Sequence, residues 1–430
     1  MLALDISPDD LVDRLLAAEV DGTSILDSCG VGHLNSHLLL AGLTPTRLTI
    51  ANTAEAALRE LNRTFADDRA SVFTLSYDLG QIIQGTAGKR DPDEPLVSIA
   101  TFDEMIVHDY DTGGTIIAGK AGDSASLREM LLGPKPPVPE YIAQVSARTN
   151  STHSDYLRAI ESIKEEIRSG NTYQTNLTRR IEVQMPADAS AAAIFRRLRT
   201  RHPAPFSAYI KRPGSTVISA SPERFFKVEN GFISASPIKG TRQRGSNAIE
   251  DDLLSNELLS SQKDRAENTM IVDLLRNDLG RICEFGTVTV EKLCEIEEHP
   301  SLFHLVSTIN GKLRKDLEVS EILEALYPCG SITGAPKLST MKIIDRLELD
   351  PRGLSMGAIG YFIPSSFGLG ESIDLSVAIR TMVIRNDAAA FNVGGGIVID
   401  SDPEKEWDET VTKSRAILDA LGIDAEAVAE

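Results

Sequence analysis

The sequence predicts an α+β fold: a sheet-rich core with helices packed outside it. Three observations predict it. Strand-like runs rich in Val, Ile and Phe recur through the later part of the chain. Helical stretches with apolar residues at three-to-four spacing stand among them. The two patterns do not alternate as a regular βα repeat. With 430 residues, 42% of them hydrophobic, the chain has material for a large core, and its length is a soft pointer to two or three domains.

Along the chain, residues 9–18 read as an amphipathic helix, and Ser71–Ser76 and Thr115–Ile117 as short strands. GPKPPVP (133–139) is the clearest breaker, so an organisational boundary is placed near it: an N-terminal segment, 1–145, and a second unit, 146–425. Leu157, Ile160, Ile163 and Ile167 then mark a helix that Gly170 stops. One helix is expected near 255–280. Another is expected from Pro403, which suits a first helical turn.

A net charge of -19 with no Lys/Arg stripe argues against a nucleic-acid partner. Four cysteines with no CxxC pair fit neither a zinc site nor a disulfide framework, and a reducing, cytoplasmic compartment fits them best. The acidic start MLALDISPDD does not read as a signal peptide, and no run of 18 apolar residues spans a membrane.

Five segments carry chemistry. Asp264 and Glu267 share one helix face, and Glu406, Glu409 and Lys413 share another. Two such faces could meet around Mg²⁺, or both could simply face water. Gly394, Gly395 and Gly396 end a strand before the second acidic helix; they suit backbone N–H approach to an anion, or equally a tight turn. GSITGAPK (330–337) lacks the Lys-Ser/Thr of a phosphate loop and reads as a loop entering a helix near Lys337. Glu223 follows Ser-Pro, and Lys239 sits between Ile238 and a Gly-Thr turn, a setting in which a lysine can become a nucleophile.

Nine segments in order then resemble the chorismate-binding enzymes, which include anthranilate, aminodeoxychorismate, isochorismate and salicylate synthases. They are SGNTYQTNLTRR (169–180), SASPERFFKV (219–228), SPIKGTRQRG (236–245), KDRAENTMIVDLLRNDLGRIC (263–283), HLVSTINGKL (304–313), GSITGAPK (330–337), MGAIGYF (356–362), DLSVAIRT (374–381) and GGGIVIDSDPEKEWDETVTKSRAIL (394–418). The resemblance is strong over about 150–420 and weak over 1–130. It implies two sheets forming a sandwich with helices outside, an active-site cleft between them, and an N-terminal segment that contributes to both sheets.

The resemblance also implies roles. Glu267 and Glu409 would ligate Mg²⁺, with Asp264 and Glu406 acting through bound water or from the second layer. Glu223 would protonate the C4 hydroxyl of chorismate, which requires a raised pKa, and His304 would lie beside that hydroxyl. Arg380 and Tyr361 would hold the enolpyruvyl carboxylate. Thr333, Lys413 and the N–H groups of Gly394, Gly395 and Gly396 would complete the anion pocket.

Two positions separate family members. Members that add water carry a lysine where this chain has Gln174, and anthranilate synthases usually carry Ala in PIxGT where this chain has Lys239, followed by Thr241. The resemblance therefore points to an aminodeoxychorismate synthase component I. Lys239 would attack C2 as the C4 hydroxyl leaves, and ammonia would then add at C4. The expected ammonia source is a glutamine amidotransferase partner, since no such portion is evident within 430 residues. Gln243, Asn171 and Cys329 depart from common family residues. Two rivals stay open: anthranilate synthase component I, and a catalytically inactive chorismate-binding subunit.

Overall fold

The computed structural model describes residues 2–428, apart from 19, 34–36, 87, 120–123, 136, 138–144, 187 and 299–301. The boundary expected at 145/146 adjoins residues outside that description. Strands from before it enter both sheets: Ser24–Asp27 and Leu38–Gly42 lie in one, Ala70–Leu75 and Val97–Phe102 in the other.

Two large antiparallel sheets form the frame. Through the middle of the first run Ser24–Asp27, Phe206–Arg212, Ser215–Ser221, Thr381–Arg385, Ala388–Ile397 and Gln174–Gln184. The second runs from Ile238–Gln243 through Leu302–Lys312, Phe232–Ala235, Arg224–Glu229, Ser372–Val377 and Ala358–Ile363 to the N-terminal strands.

Period-two alternation explains why they stack. On Ala70–Leu75, Val72 faces one core while Phe73 and Leu75 face another. The Val72 core also holds Leu40, Ala208 and Val217 from the first sheet and Phe102, Ile359 and Ile363 from the second, so it fills the space between the sheets. The opposite face of each sheet is covered by helices. Pro8–Ala17, His153–Arg168, Ala191–Arg201 and Pro403–Ala420 cover the first; Ala54–Phe65, Gln262–Gly280 and Val319–Leu326 cover the second. The order is helix, sheet, sheet, helix. Each buried Leu, Ile or Phe in these layers contributes about 1.5–3 kcal/mol of transfer free energy.

One element differs from expectation. The stretch near 255–280 is two helices, Ala248–Ser260 and Gln262–Gly280. Ser261 leaves helical geometry at ψ 108°, and its hydroxyl accepts the Asp264 N–H at 3.3 Å. A serine that can cap starts a new helix more favourably than it continues an old one. No helix among the described residues is long and apolar enough to cross a membrane.

Candidate active site

The glycine stretch belongs to the strand Ala388–Ile397 rather than to a turn. Gly394, Gly395 and Gly396 stand opposite Thr178, Leu177 and Asn176. On the other side, Thr381–Arg385 pairs only with Ala388–Ala390, so the glycines border an open edge. The Asn392 N–H turns to that edge, donating to Ser355 Oγ at 2.9 Å, and the Gly394 carbonyl there accepts from Lys413 Nζ at 2.9 Å. By alternation the N–H groups of Gly394 and Gly396 also point out, while that of Gly395 points into the ladder with Leu177. This corrects the expectation that all three donate to a ligand.

What Gly395 offers is the absence of a side chain. A Cβ there would stand 3.0 Å from Glu406 Oε2 and 3.5 Å from Glu409 Oε1. A Cβ on Gly396 would stand 2.3 Å from Gln174 Nε2 and 3.6 Å from Lys239 Nζ. Successive residues face opposite sides of a strand. The bare backbone thus meets the acidic helix on one side, and Gln174 and Lys239 on the other.

Lys239 lies in the strand Ile238–Gln243, which pairs with Leu302–Lys312. The register shifts between Ile238 and Thr241, a bulge that re-aims the residue within it. Gly240 takes φ 79°, and a Cβ there would lie 2.8 Å from Asp264 Cγ. Only glycine lets this strand approach the first acidic helix so closely. Past the bulge, Thr241 Oγ1 and His304 Nδ1 are 2.9 Å apart, and His304 is buried.

The two acidic helices bring their carboxyls toward this strand. In Pro403–Ala420, Asp402 caps the N-terminus, and Trp407, Val411 and Ile417 anchor the apolar face. Glu406, Glu409 and Lys413 are thereby held on the side of the glycine strand. Burial raises the Glu406 carboxyl, which accepts from Ser401 Oγ at 2.6 Å. Partial desolvation pushes the half-exposed Glu409 carboxyl up, but Lys413 Nζ at 2.6 Å, aided by Lys263 and Lys239, holds it below its ordinary range. Glu267 is raised by burial, against Lys239 and Lys263. Asp264 is 3.4 Å from Arg242 Nη2.

Glu223 follows the strand Ser215–Ser221 and is buried. Burial raises its carboxyl; Lys239, a hydrogen bond from Ser331, and Lys413 oppose the rise. Lys239 therefore faces Glu223, Glu267 and Glu409 together. Ser331 was not among the expected residues. Thr333, which was, spends its hydroxyl on the carbonyls of Cys329 (3.0 Å) and Gly330 (3.3 Å). Nothing in GSITGAPK distinguishes the two hydroxyls; only the short 3-10 turn Gly330–Ile332 does.

Arg380 sits at φ 49°, a strained setting for a side-chain-bearing residue. Burial lowers its pKa, and its guanidinium has no ion-pair or hydrogen-bond partner among the described residues. Three residues earlier, at the end of the strand Ser372–Val377, the Val377 N–H donates to the Glu223 carbonyl at 3.0 Å. Gln174 is fully buried, and neither end of its carboxamide is bonded among the described residues. Tyr361 stands apart. Its ring lines a cavity of about 40 Å³ between the sheets with Asp27, Phe206 and Asp374. The groups facing its hydroxyl are Asp374, Arg224, Glu229 and Ser372, none of them in the cluster around Lys239.

Among the described residues no three His, Cys, Asp or Glu side chains already converge as a metal cage. The donors that do approach are hard carboxylate oxygens from two helices. That suits Mg²⁺, which takes one or two carboxylates and fills its shell with water and substrate oxygens.

Comparison with known proteins bears on the chain's family and fold. Residues 32–419 match the family model described as chorismate binding enzyme. The aminodeoxychorismate synthase of Streptomyces griseus is 38% identical over 363 residues, 81% of this chain and 49% of that protein, so this chain spans about half its relative's length. The aminodeoxychorismate synthase component 1 of Bacillus subtilis (strain 168) is 34% identical over 385 residues, 85% of this chain and 80% of that one. Anthranilate synthase component I from Streptococcus pneumoniae TIGR4 superposes with a TM-score of 0.78 at 25% identity, covering 90% of this chain and 93% of its own. This chain belongs to the chorismate-binding enzyme family.

Proposed function

We propose that the protein is the chorismate-aminating component of an aminodeoxychorismate synthase, producing 4-amino-4-deoxychorismate by way of a covalent Lys239 adduct. The observation that carries this reading is the placement of Lys239 beside Gly396 and Gln174, with its charge facing Glu223, Glu267 and Glu409.

The chemistry follows from these residues. The Lys239 amine, in its neutral form, bonds to C2 of chorismate. The diene electrons shift along the ring toward C4. Glu223, whose carboxyl burial raises, gives its proton to the C4 hydroxyl, which departs as water. Ammonia then bonds to C4, the electrons shift back, and the C2–N bond to Lys239 breaks. The proton that the Lys239 nitrogen sheds on bonding restores Glu223, and the proton that ammonia sheds goes to the departing amine. Gln174 offers an unsatisfied donor and acceptor beside the amine, and Thr241 holds His304 near the leaving group. Arg380 is free to pair with a substrate carboxylate, and the N–H groups of Gly394 and Gly396 face the same open edge. Glu267 and Glu409, supported by Asp264 and Glu406, would hold Mg²⁺. When bound, the ion supplies positive charge for the ring carboxylate and the leaving oxygen. A glutamine amidotransferase partner would deliver the ammonia.

Product identification tests the reading. The protein is incubated with chorismate, Mg²⁺ and ammonium, with and without an aminodeoxychorismate lyase. 4-Aminobenzoate formed only with the lyase is the expected result. Anthranilate formed directly would replace the proposal with an anthranilate synthase.

A further inference from the structure

The two acidic helices are bridged by a cation that no role in the reaction has yet claimed. Lys263 Nζ lies 3.9 Å from Glu267 Oε1 on its own helix and 3.7 Å from Glu406 Oε1 on the other. Its charge lowers the carboxyls of Glu267, Glu406 and Glu409 alike. Two neighbouring cations, Lys413 and Arg242, are held more closely. Lys413 bonds Glu409 at 2.6 Å and the Gly394 carbonyl at 2.9 Å, and Arg242 bonds Glu257 at 3.0 Å. Lys263 is beyond hydrogen-bonding distance from both its carboxylates, and its side chain is 54% exposed.

Helix geometry does not explain this lysine. It occupies the first turn of Gln262–Gly280, where the helix dipole disfavours positive charge. What compensates it is the carboxylate pair. A lysine ammonium on a flexible stem can leave such a pair for water.

We propose that Lys263 is a built-in counter-ion for the acidic site: it holds the carboxylates of the two helices together and swings out to solvent when a divalent cation enters. Lys263 would then compete with the cation and set its affinity. The inference rests on the Mg²⁺ reading above, and the test separates the two.

Mg²⁺ alone is titrated calorimetrically into wild type, Lys263→Met, Lys263→Arg and Glu267→Gln proteins, each checked for an unchanged melting transition. The expected result is Mg²⁺ binding about three- to tenfold tighter in Lys263→Met, the size of one or two half-exposed ion pairs given up. Lys263→Arg keeps the charge and stays close to wild type, while Glu267→Gln binds more weakly. Equal or weaker binding in Lys263→Met, with wild type binding normally, overturns the counter-ion role and leaves the metal reading standing. No binding in either wild type or Lys263→Met overturns both.

Discussion

The charges around Glu94 and those around Lys239 use the same kinds of side chain and end in opposite states. Glu94 receives both arms of Arg212, at 2.7 and 3.2 Å, and is also paired with Arg385. Arg385 reaches Asp91 at 3.3 Å, and the Asp91 N–H donates to Asp78 at 2.9 Å. Arg352 grips Glu348, Arg224 grips Asp374 and Lys337 grips Asp278 in the same close manner. Around Lys239 the accounts stay open. Lys263 stands off at 3.7 and 3.9 Å, and among the described residues the Gln174 carboxamide and the Arg380 guanidinium have no partners. Charges that hold a fold are satisfied by the chain itself. Charges left unsatisfied in one place, at a cost to stability, mark where a ligand completes them.

The largest expected effect breaks the open set. Glu223→Gln should lower kcat by about 10²–10⁴, the range for loss of a general acid. It should also stabilise the fold, because burial raises the folded carboxyl above its unfolded value. Folding therefore penalises the ionised form. The penalty is absent below the unfolded value of about 4.3 and complete above the folded one. Thermal melts across pH should show the variant gaining on wild type as pH rises toward neutrality. A variant that loses activity and melts lower at neutral pH would place Glu223 with the structural charges.

Next comes the closed set. Glu94→Ala leaves Arg212 buried without its partner and should cost about 3–5 kcal/mol in denaturant unfolding. Turnover per folded molecule should be unchanged. A loss of turnover without a loss of stability would contradict the division drawn here.

Smaller still is Arg380→Met. Loss of one charge-assisted carboxylate contact should raise KM about 10- to 100-fold. The melting temperature should hold or rise, since a half-buried charge without a partner among the described residues is removed. A fall of several degrees would reveal a structural partner for Arg380 instead.

Much of this site was legible in the sequence, and the misses share a cause. Lys239, Glu223 and the two acidic faces lie in ordered motifs or at helical spacing, and both survive as local features. The helix boundary at Ser261 turns on whether a serine hydroxyl finds the Asp264 N–H, which composition does not state. Choosing Ser331 over Thr333, or separating Tyr361 from Arg380, requires knowing the direction of each side chain. Strand register and turn type decide that. The glycines were read as ending a strand, and the strand Ala388–Ile397 does close one residue after Gly396; which side each glycine opens depends on its register with Gln174–Gln184. Lys263 escaped notice because a surface lysine on a charged helix is the commonest of residues. Only the second helix, with Glu406, distinguishes it.

The most direct test of the account concerns the bond it places on Lys239. Wild type and Lys239→Ala proteins are incubated with chorismate and Mg²⁺ without ammonia, quenched, digested and examined by peptide mass spectrometry. The expected result is a mass increase equal to chorismate less one water on the wild-type peptide containing Lys239, absent from the variant and discharged when ammonium is added. An unmodified Lys239 peptide, with 4-amino-4-deoxychorismate still formed by the Lys239→Ala protein at the wild-type rate, would contradict it.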